Sequence, residues 1–237
     1  MVIYKISYSR NYKRANIHNI GCNFNCPWCS YKLNGKKHFP KILRVNDIKN
    51  ILNGFEVDRV HFVGGELTTN PNLSELCNYT RNELDVYTKI GHSNGYNLPP
   101  SSVDAISISI KSLSEDFYLS YTGKSNIPVL ENFKKSYEMG IQVDASSVFI
   151  PGLVDHPEIE EISKFIALLD PKIHYHITGY IPVPGAPWRS PTLYEIEKAK
   201  MVAEMNLKNV STSWFSSVDD YFKMTDEDPK YQSIPIA

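Results

Sequence analysis

The chain has 237 residues, 42% of them hydrophobic, and a formal net charge of −1. That is enough apolar material for one large α/β domain, and the near-neutral balance carries neither the global basic character of a nucleic-acid binder nor the acidity of a disordered chain. No apolar run approaches the ~20 residues that span a bilayer, the opening residues lack the apolar stretch of a signal peptide, and 4 cysteines are too few for a disulfide scaffold, so a soluble cytoplasmic protein with free thiols is expected.

Strand-like and helix-like segments alternate along the chain, which predicts a parallel α/β sheet or barrel. Residues 15–20 read as a strand running into a cysteine-bearing loop. Residues 46–52 have helical apolar spacing with Asn46 as N-cap, and 58–63 form a strand ending at Gly64-Gly65. A helix over 71–79 precedes a strand over 84–90 that ends at Gly91. Residues 103–110 alternate, with Ile106, Ile108 and Ile110 on one face. A helix over 126–139 closed by Gly140, a strand over 141–150 closed by Pro151-Gly152 and a helix over 157–169 follow. A strand over 173–181, a strongly periodic helix over 192–205 and a last strand over 209–214 complete six or seven βα units without a linker or repeat. The expected division is a core over 1–216 and an acidic C-terminal tail over 217–237, read as solvated or, functionally, as a lid or partner contact.

The most informative segment is Cys22-Asn23-Phe24-Asn25-Cys26-Pro27-Trp28-Cys29. It crowds three thiolates onto one short loop, and only Cys77, inside an apolar helical pattern, remains elsewhere. Three local sulfur ligands point to a [4Fe-4S] cluster with one iron open to a substrate or cofactor. A zinc site that recruits Cys77 or a histidine is the alternative. The spacing, with an aromatic residue before the third cysteine, resembles the signature of the radical S-adenosylmethionine (SAM) superfamily, and Trp28 fills the aromatic place. That resemblance implies a partial (β/α)6 TIM-like barrel with parallel strands, and the count of βα units agrees with it.

Further matches fall just after predicted strands. Gly64-Gly65-Glu66 resembles the family motif that contacts the amino group of SAM: glycines let a backbone approach a ligand, and a carboxylate accepts from an ammonium. Leu67 stands where proline is frequent. Ser93-Asn94-Gly95-Tyr96 resembles a polar segment of the activating enzymes of glycyl radical proteins, which implies hydrogen bonds to the SAM carboxylate or ribose. Ser109-Ile110-Lys111 resembles their Asp-Ile-Lys, with serine in the aspartate's place and Lys111 able to neutralise the SAM carboxylate. Tyr121-Thr122-Gly123, Phe149-Ile150-Pro151-Gly152-Leu153-Val154-Asp155 and Tyr175-His176-Ile177-Thr178 resemble segments of the same group, with Ser146 and Ser147 before the second and His176 as a contact to SAM or substrate in the third. Pyruvate formate-lyase activating enzyme-like members are thus the nearest resemblance, over about residues 14–214.

The resemblance implies an oxidoreductase in which a reduced cluster on Cys22, Cys26 and Cys29 cleaves SAM to a 5′-deoxyadenosyl radical that abstracts hydrogen from a substrate. A flavodoxin or ferredoxin is the expected reductant. Three readings of the target stay open: a partner protein that is activated or modified, a small molecule such as a 7-deazapurine-type precursor, or a non-catalytic Fe–S or zinc module. The locally basic run Lys32, Lys36, Lys37, His38, Lys41 and Arg44 reads as a solvated loop, or as a surface that meets an anionic substrate or an acidic partner.

Overall fold

Along the strands between residues 14 and 213, apolar side chains recur at every second position and turn to one side of a single sheet. The computed structural model describes residues 2–27, 29–34, 42–227 and 232–237. Among these, the strands are β1 (Val2–Ser9), β2 (Arg14–Ile20), β3 (Arg59–Val63), β4 (Tyr87–Ser93), β5 (Ala105–Ser109), β6 (Gln142–Phe149), β7 (Tyr175–Gly179), β8 (Val210–Ser213) and β9 (Ile234–Pro235). The helices are α1 (Val45–Asn53), α2 (Leu73–Asn78), α3 (Glu115–Thr122), α4 (Ile127–Glu138), α5 (His156–Ala167), α6 (Leu193–Glu204) and α7 (Val218–Glu227).

The sheet order is β8-β7-β6-β5-β4-β3-β2-β1-β9. Strands β2 to β8 pair in parallel, whereas β1 and β9 join one edge antiparallel. The sheet does not close on itself, so the expected partial barrel of parallel strands is what forms. Val60, Phe62, Ile106, Ile108, Val143, Ala145, Tyr175 and Ile177 are buried on the helix side of the sheet. Helices present Val129 and Phe133 of α4, Ile159, Ile162 and Ile166 of α5, and Ile196, Ala199 and Ala203 of α6, at the three- and four-residue spacing that makes one apolar stripe.

Several boundaries differ from expectation, each for a local reason. Strand β1 shifts register between Ile3 and Lys5, which breaks its alternation, and helix α3 carries too many polar residues to stand out by pattern; α3 starts where Ser114 Oγ accepts the Phe117 amide at 3.3 Å. Helix α1 is capped by Arg44, not Asn46, because the Asp47 carboxylate accepts the Arg44 amide at 3.1 Å. Strand β4 starts late because a π-helical turn over Tyr79–Glu83 prolongs α2, and it runs past Gly91, where its register against β5 shifts. Gly91 is thus an irregularity within a strand, not its end. Beyond Ser217 the chain forms α7 and then β9, where Ile236 and Ala237 exchange backbone bonds with Ile6, both at 2.9 Å.

Phe62 is fully buried between sheet and helices. Phe62→Ala should lower unfolding free energy by about 3–5 kcal/mol in urea denaturation, from lost burial plus the cavity left behind; a loss below about 1 kcal/mol would contradict this packing.

Candidate functional site

The cysteine loop leaves β2 through Gly21, whose φ of +101° lies in the region glycine tolerates. Three elements hold the loop. The Asn25 amide donates to the Thr122 carbonyl at 2.9 Å, at the end of α3. Phe24 is buried, its ring edge-on to Tyr96 at 5.7 Å and to Tyr118 at 6.0 Å. Asn94 Nδ2 donates to Asn23 Oδ1 at 2.7 Å and approaches Cys22 Sγ at 3.6 Å, which also accepts the Phe24 amide at 3.4 Å. Cys22 is exposed, Cys26 and Cys29 are half-buried, and none is in a disulfide. Burial pushes the Cys26 thiol up, and Lys111 is the main opposing influence. Cys77 is buried in α2 and pushed up to about 12 by that burial, so it is a core thiol.

The turn after β3 presses on this loop. A Cβ on Gly64 would lie 2.5 Å from the Asn19 carbonyl oxygen, and one on Gly65 would lie 2.2 Å from that of Gly21. Their φ angles, +90° and +51°, also lie where side chains are strained. The Glu66 amide donates to the Gly21 carbonyl at 2.8 Å. The Glu66 carboxylate is fully buried. Its Oε1 accepts from the Thr68 amide at 3.1 Å, Thr68 Oγ1 at 2.7 Å and Ser93 Oγ at 2.9 Å, while Oε2 accepts from the Asn94 amide at 2.5 Å. One carboxylate thus ties the β3 turn to the segment after β4.

The remaining expected residues fall at two levels. Lys111 Nζ lies 3.3 Å from Ser109 Oγ at the end of β5, close enough to influence the cysteines. His176 lies on the inner face of β7, where Nδ1 pairs with Ser211 Oγ at 2.7 Å and Nε2 with Ser213 Oγ at 3.1 Å. Ser147 is buried and donates to the Ile110 carbonyl at 2.6 Å. Trp28 and the basic residues Lys36, Lys37, His38 and Lys41 lie outside the described residues, and Lys32 Nζ binds the Pro27 carbonyl at 2.5 Å.

Sequence reasoning missed the polar inner wall of the sheet. Lys89 Nζ lies 2.6 Å from Asp144 Oδ2, Ser107 Oγ lies 3.4 Å from the same oxygen, and His174 Nε2 pairs with Ser211 Oγ at 2.7 Å. The signal was the polar residue at every second position of the parallel strands, opposite the apolar set. Burial pushes His61 on this wall down to about 4, reinforced by Arg14, Lys89 and Arg59.

Comparison with known proteins adds the family. The Radical SAM superfamily matches residues 16–169. Over 202 residues, 81% of this chain and 78% of the relative, the sequence is 33% identical to a Methanocaldococcus jannaschii protein named "Putative glycyl-radical enzyme activating enzyme". A radical SAM methyltransferase from Sphaerobacter thermophilus has the same fold at 16% identity, with a TM-score of 0.65, 90% of this chain and 70% of that one covered. A domain of a pyruvate-formate lyase-activating enzyme from Bacteroides vulgatus matches at 14% identity, with a TM-score of 0.54, 65% of this chain and 98% of that one covered.

His61 gives the site a pH signature. Its folded pKa is depressed, so between about pH 6.5 and 4 the unfolded chain takes a proton that the folded chain refuses. Stability contributed by His61 is present above that window and is lost as pH falls through it. His61→Asn should flatten this part of the stability profile, read from urea midpoints at pH 7 and 4.5; parallel profiles would mean that His61 titrates as an exposed imidazole.

Proposed function

Because this chain belongs to the radical SAM superfamily, we propose that it generates a 5′-deoxyadenosyl radical and uses it to install a glycyl radical on a partner protein. The relative at 33% identity is the observation that carries the protein-substrate reading. The chain is an enzyme, and its cofactors are those of the family, a [4Fe-4S] cluster and SAM. Bound on this chain, the cluster would supply one-electron reduction of the SAM sulfonium, with methionine as the leaving group and a carbon radical able to take a hydrogen atom.

The residues present fit the cluster: three free thiols share one loop, and amide donors already point at Cys22 Sγ. Cys22, Cys26 and Cys29 would hold three irons. Donors to sulfur stabilise the thiolate and tune the potential of what it binds. SAM would be held at the strand ends by Gly64, Gly65, Glu66, Ser93, Asn94, Ser109, Lys111 and His176, and Trp28 precedes the third cysteine in the sequence. The buried Glu66 carboxylate, engaged by four donors, would fix the Ser93-Asn94 segment and the Gly64-Gly65 turn against the SAM amino group. Lys111 would offset the SAM carboxylate. The core would run to residue 216, with 217–237 an acidic C-terminal tail whose β9 pairs with β1, and a flavodoxin or ferredoxin would deliver the electron. Among the described residues no helix is long and apolar enough to cross a membrane.

Anaerobic reconstitution should give about four irons per chain. Cys26→Ala should lose most of that iron and Cys77→Ala should keep it; stoichiometric zinc with no reconstitutable iron would sink the assignment.

With dithionite or reduced flavodoxin the loaded protein should release methionine and 5′-deoxyadenosine slowly, and faster with its partner. The partner should then show a glycyl radical signal by electron paramagnetic resonance. Deoxyadenosine without that signal in any glycyl radical partner tested would favour the small-molecule reading, and no deoxyadenosine from a reduced, SAM-bound cluster would overturn the enzyme reading.

A further inference from the structure

Helix α3 carries a buried polar group that the fold does not satisfy. Tyr118 is fully buried, and its hydroxyl has no hydrogen-bond partner among the described residues. A buried hydroxyl left unpaired forfeits the hydration it had in the unfolded chain, and such groups are uncommon in folded proteins. Burial pushes this phenol up, and the Cys26 sulfur adds to the effect; the Lys111 amide opposes it, and Glu66 adds again. An amide N–H can only donate, so Lys111 offers the phenolic proton no acceptor. The Glu66 carboxylate is taken by Thr68, Ser93 and Asn94.

Tyr118 is also part of the seat of the cysteine loop. Its ring meets Phe24 edge-on at 6.0 Å, and Phe24 stands midway between Cys22 and Cys26 in the sequence. One turn further along α3, the Thr122 carbonyl accepts the Asn25 amide at 2.9 Å, and Thr122 Oγ1 donates back to the Tyr118 carbonyl at 2.8 Å. The loop and the turn of helix that carries Tyr118 are thus joined by a main-chain bond and by ring packing. Of the two side-chain charges that act on the phenol, Cys26 acts more strongly than Glu66.

We propose that the Tyr118 hydroxyl donates a hydrogen bond to a sulfur of the bound [4Fe-4S] cluster, the Cys26 thiolate or an adjoining sulfide, and so raises the cluster's potential. The proposal deepens the radical-generating reading and rests on its cluster. Loading turns thiols into thiolates and brings in sulfides, which are acceptors that the empty loop lacks. A phenol packed under Phe24 and withdrawn from water has no solvent molecule to turn to instead. Hydrogen bonds to sulfur are among the levers that set iron–sulfur potentials. The reduced cluster carries one more negative charge than the oxidised one, so a donor stabilises it more and eases its reduction.

The test uses the full chain and Tyr118→Phe, which removes the hydroxyl and keeps the ring. Without the cluster, the variant should have a urea midpoint equal to or above that of the wild type, because an unpaired buried hydroxyl is gone. A clearly lower midpoint would mean that the hydroxyl already has a partner in the empty chain, and overturns the proposal. After anaerobic reconstitution both proteins should hold about four irons per chain. Redox titration without SAM, followed by electron paramagnetic resonance of the reduced cluster, is the main readout. At a fixed potential the ratio of reduced to oxidised cluster should be about tenfold lower in the variant, a shift of about 59 mV for one electron. Tyr175→Phe is the control: that hydroxyl is also buried, but Ser147 and Glu158 act on it and no cysteine does. Its ratio should match the wild type. If Tyr118→Phe takes up no iron, 3-fluorotyrosine at position 118, a stronger donor of nearly the same shape, should raise the ratio severalfold. An unchanged ratio, an equal shift in Tyr175→Phe, or a shift that appears only once SAM is added overturns the proposal. A wild type that binds no iron removes the cluster reading and this inference with it. A wild type with about four irons and a ratio insensitive to position 118 removes this inference alone.

Discussion

The backbone of the Gly64-Gly65 turn lies against the backbone of β2 and the start of the cysteine loop, closer than any side chain would allow. Everything proposed at the strand ends depends on that contact. Parallel pairing of β2 with β3 brings the two segments side by side, and the Glu66 amide then bonds the Gly21 carbonyl. Glu66 carries the linkage on through its side chain to Ser93 and Asn94, and Asn94 returns it to Cys22. The geometry of a thiol loop is thus derived from sheet register by way of one turn and one buried carboxylate. Fully satisfied networks of this kind are rigid, because every broken member leaves a buried partner exposed to the full cost of desolvation.

Parallel sheets usually bury both faces and read as continuous apolar runs. Strands β3 and β5 to β7 alternate instead, because helices cover one face and the other carries polar side chains. The apolar set supplies the core, and the polar set is left free to carry Lys89, Asp144, His174 and His176. Alternation in a chain of βα units is therefore itself a functional signal: it identifies a face that the fold does not need for packing.

The fold was largely legible where pattern is local. Ile106, Ile108 and Ile110 alternate cleanly and are fully buried, and the 192–205 helix has Thr192 and Glu195 in a capping box that fixes its start. It was illegible where an element is short or irregular. Strand β9 has two residues and exists because the β1 edge is available to it. Strand β1 changes register between Ile3 and Lys5, which breaks its alternation. At the site, the cysteines and Gly64-Gly65-Glu66 stood out because each set is contiguous in sequence. Two of the Glu66 donors, Ser93 and Asn94, are separated from it by 27 and 28 positions, and Lys89 from Asp144 by 55, so only the register of the folded sheet brings them together.

These two regions are built by different means, and the difference has a consequence. The strand-end region is held by main-chain contacts, by glycines that admit no replacement and by one carboxylate with four donors. Its geometry tolerates little change. The inner wall consists of side chains that project from strands whose backbone pairing does not depend on them. Residues such as Arg59 or Ser107 can be exchanged without altering the register that positions the cysteine loop, provided that Asp144 and Lys89 remain paired. One scaffold can therefore keep its strand-end geometry constant while side chains on the inner wall change.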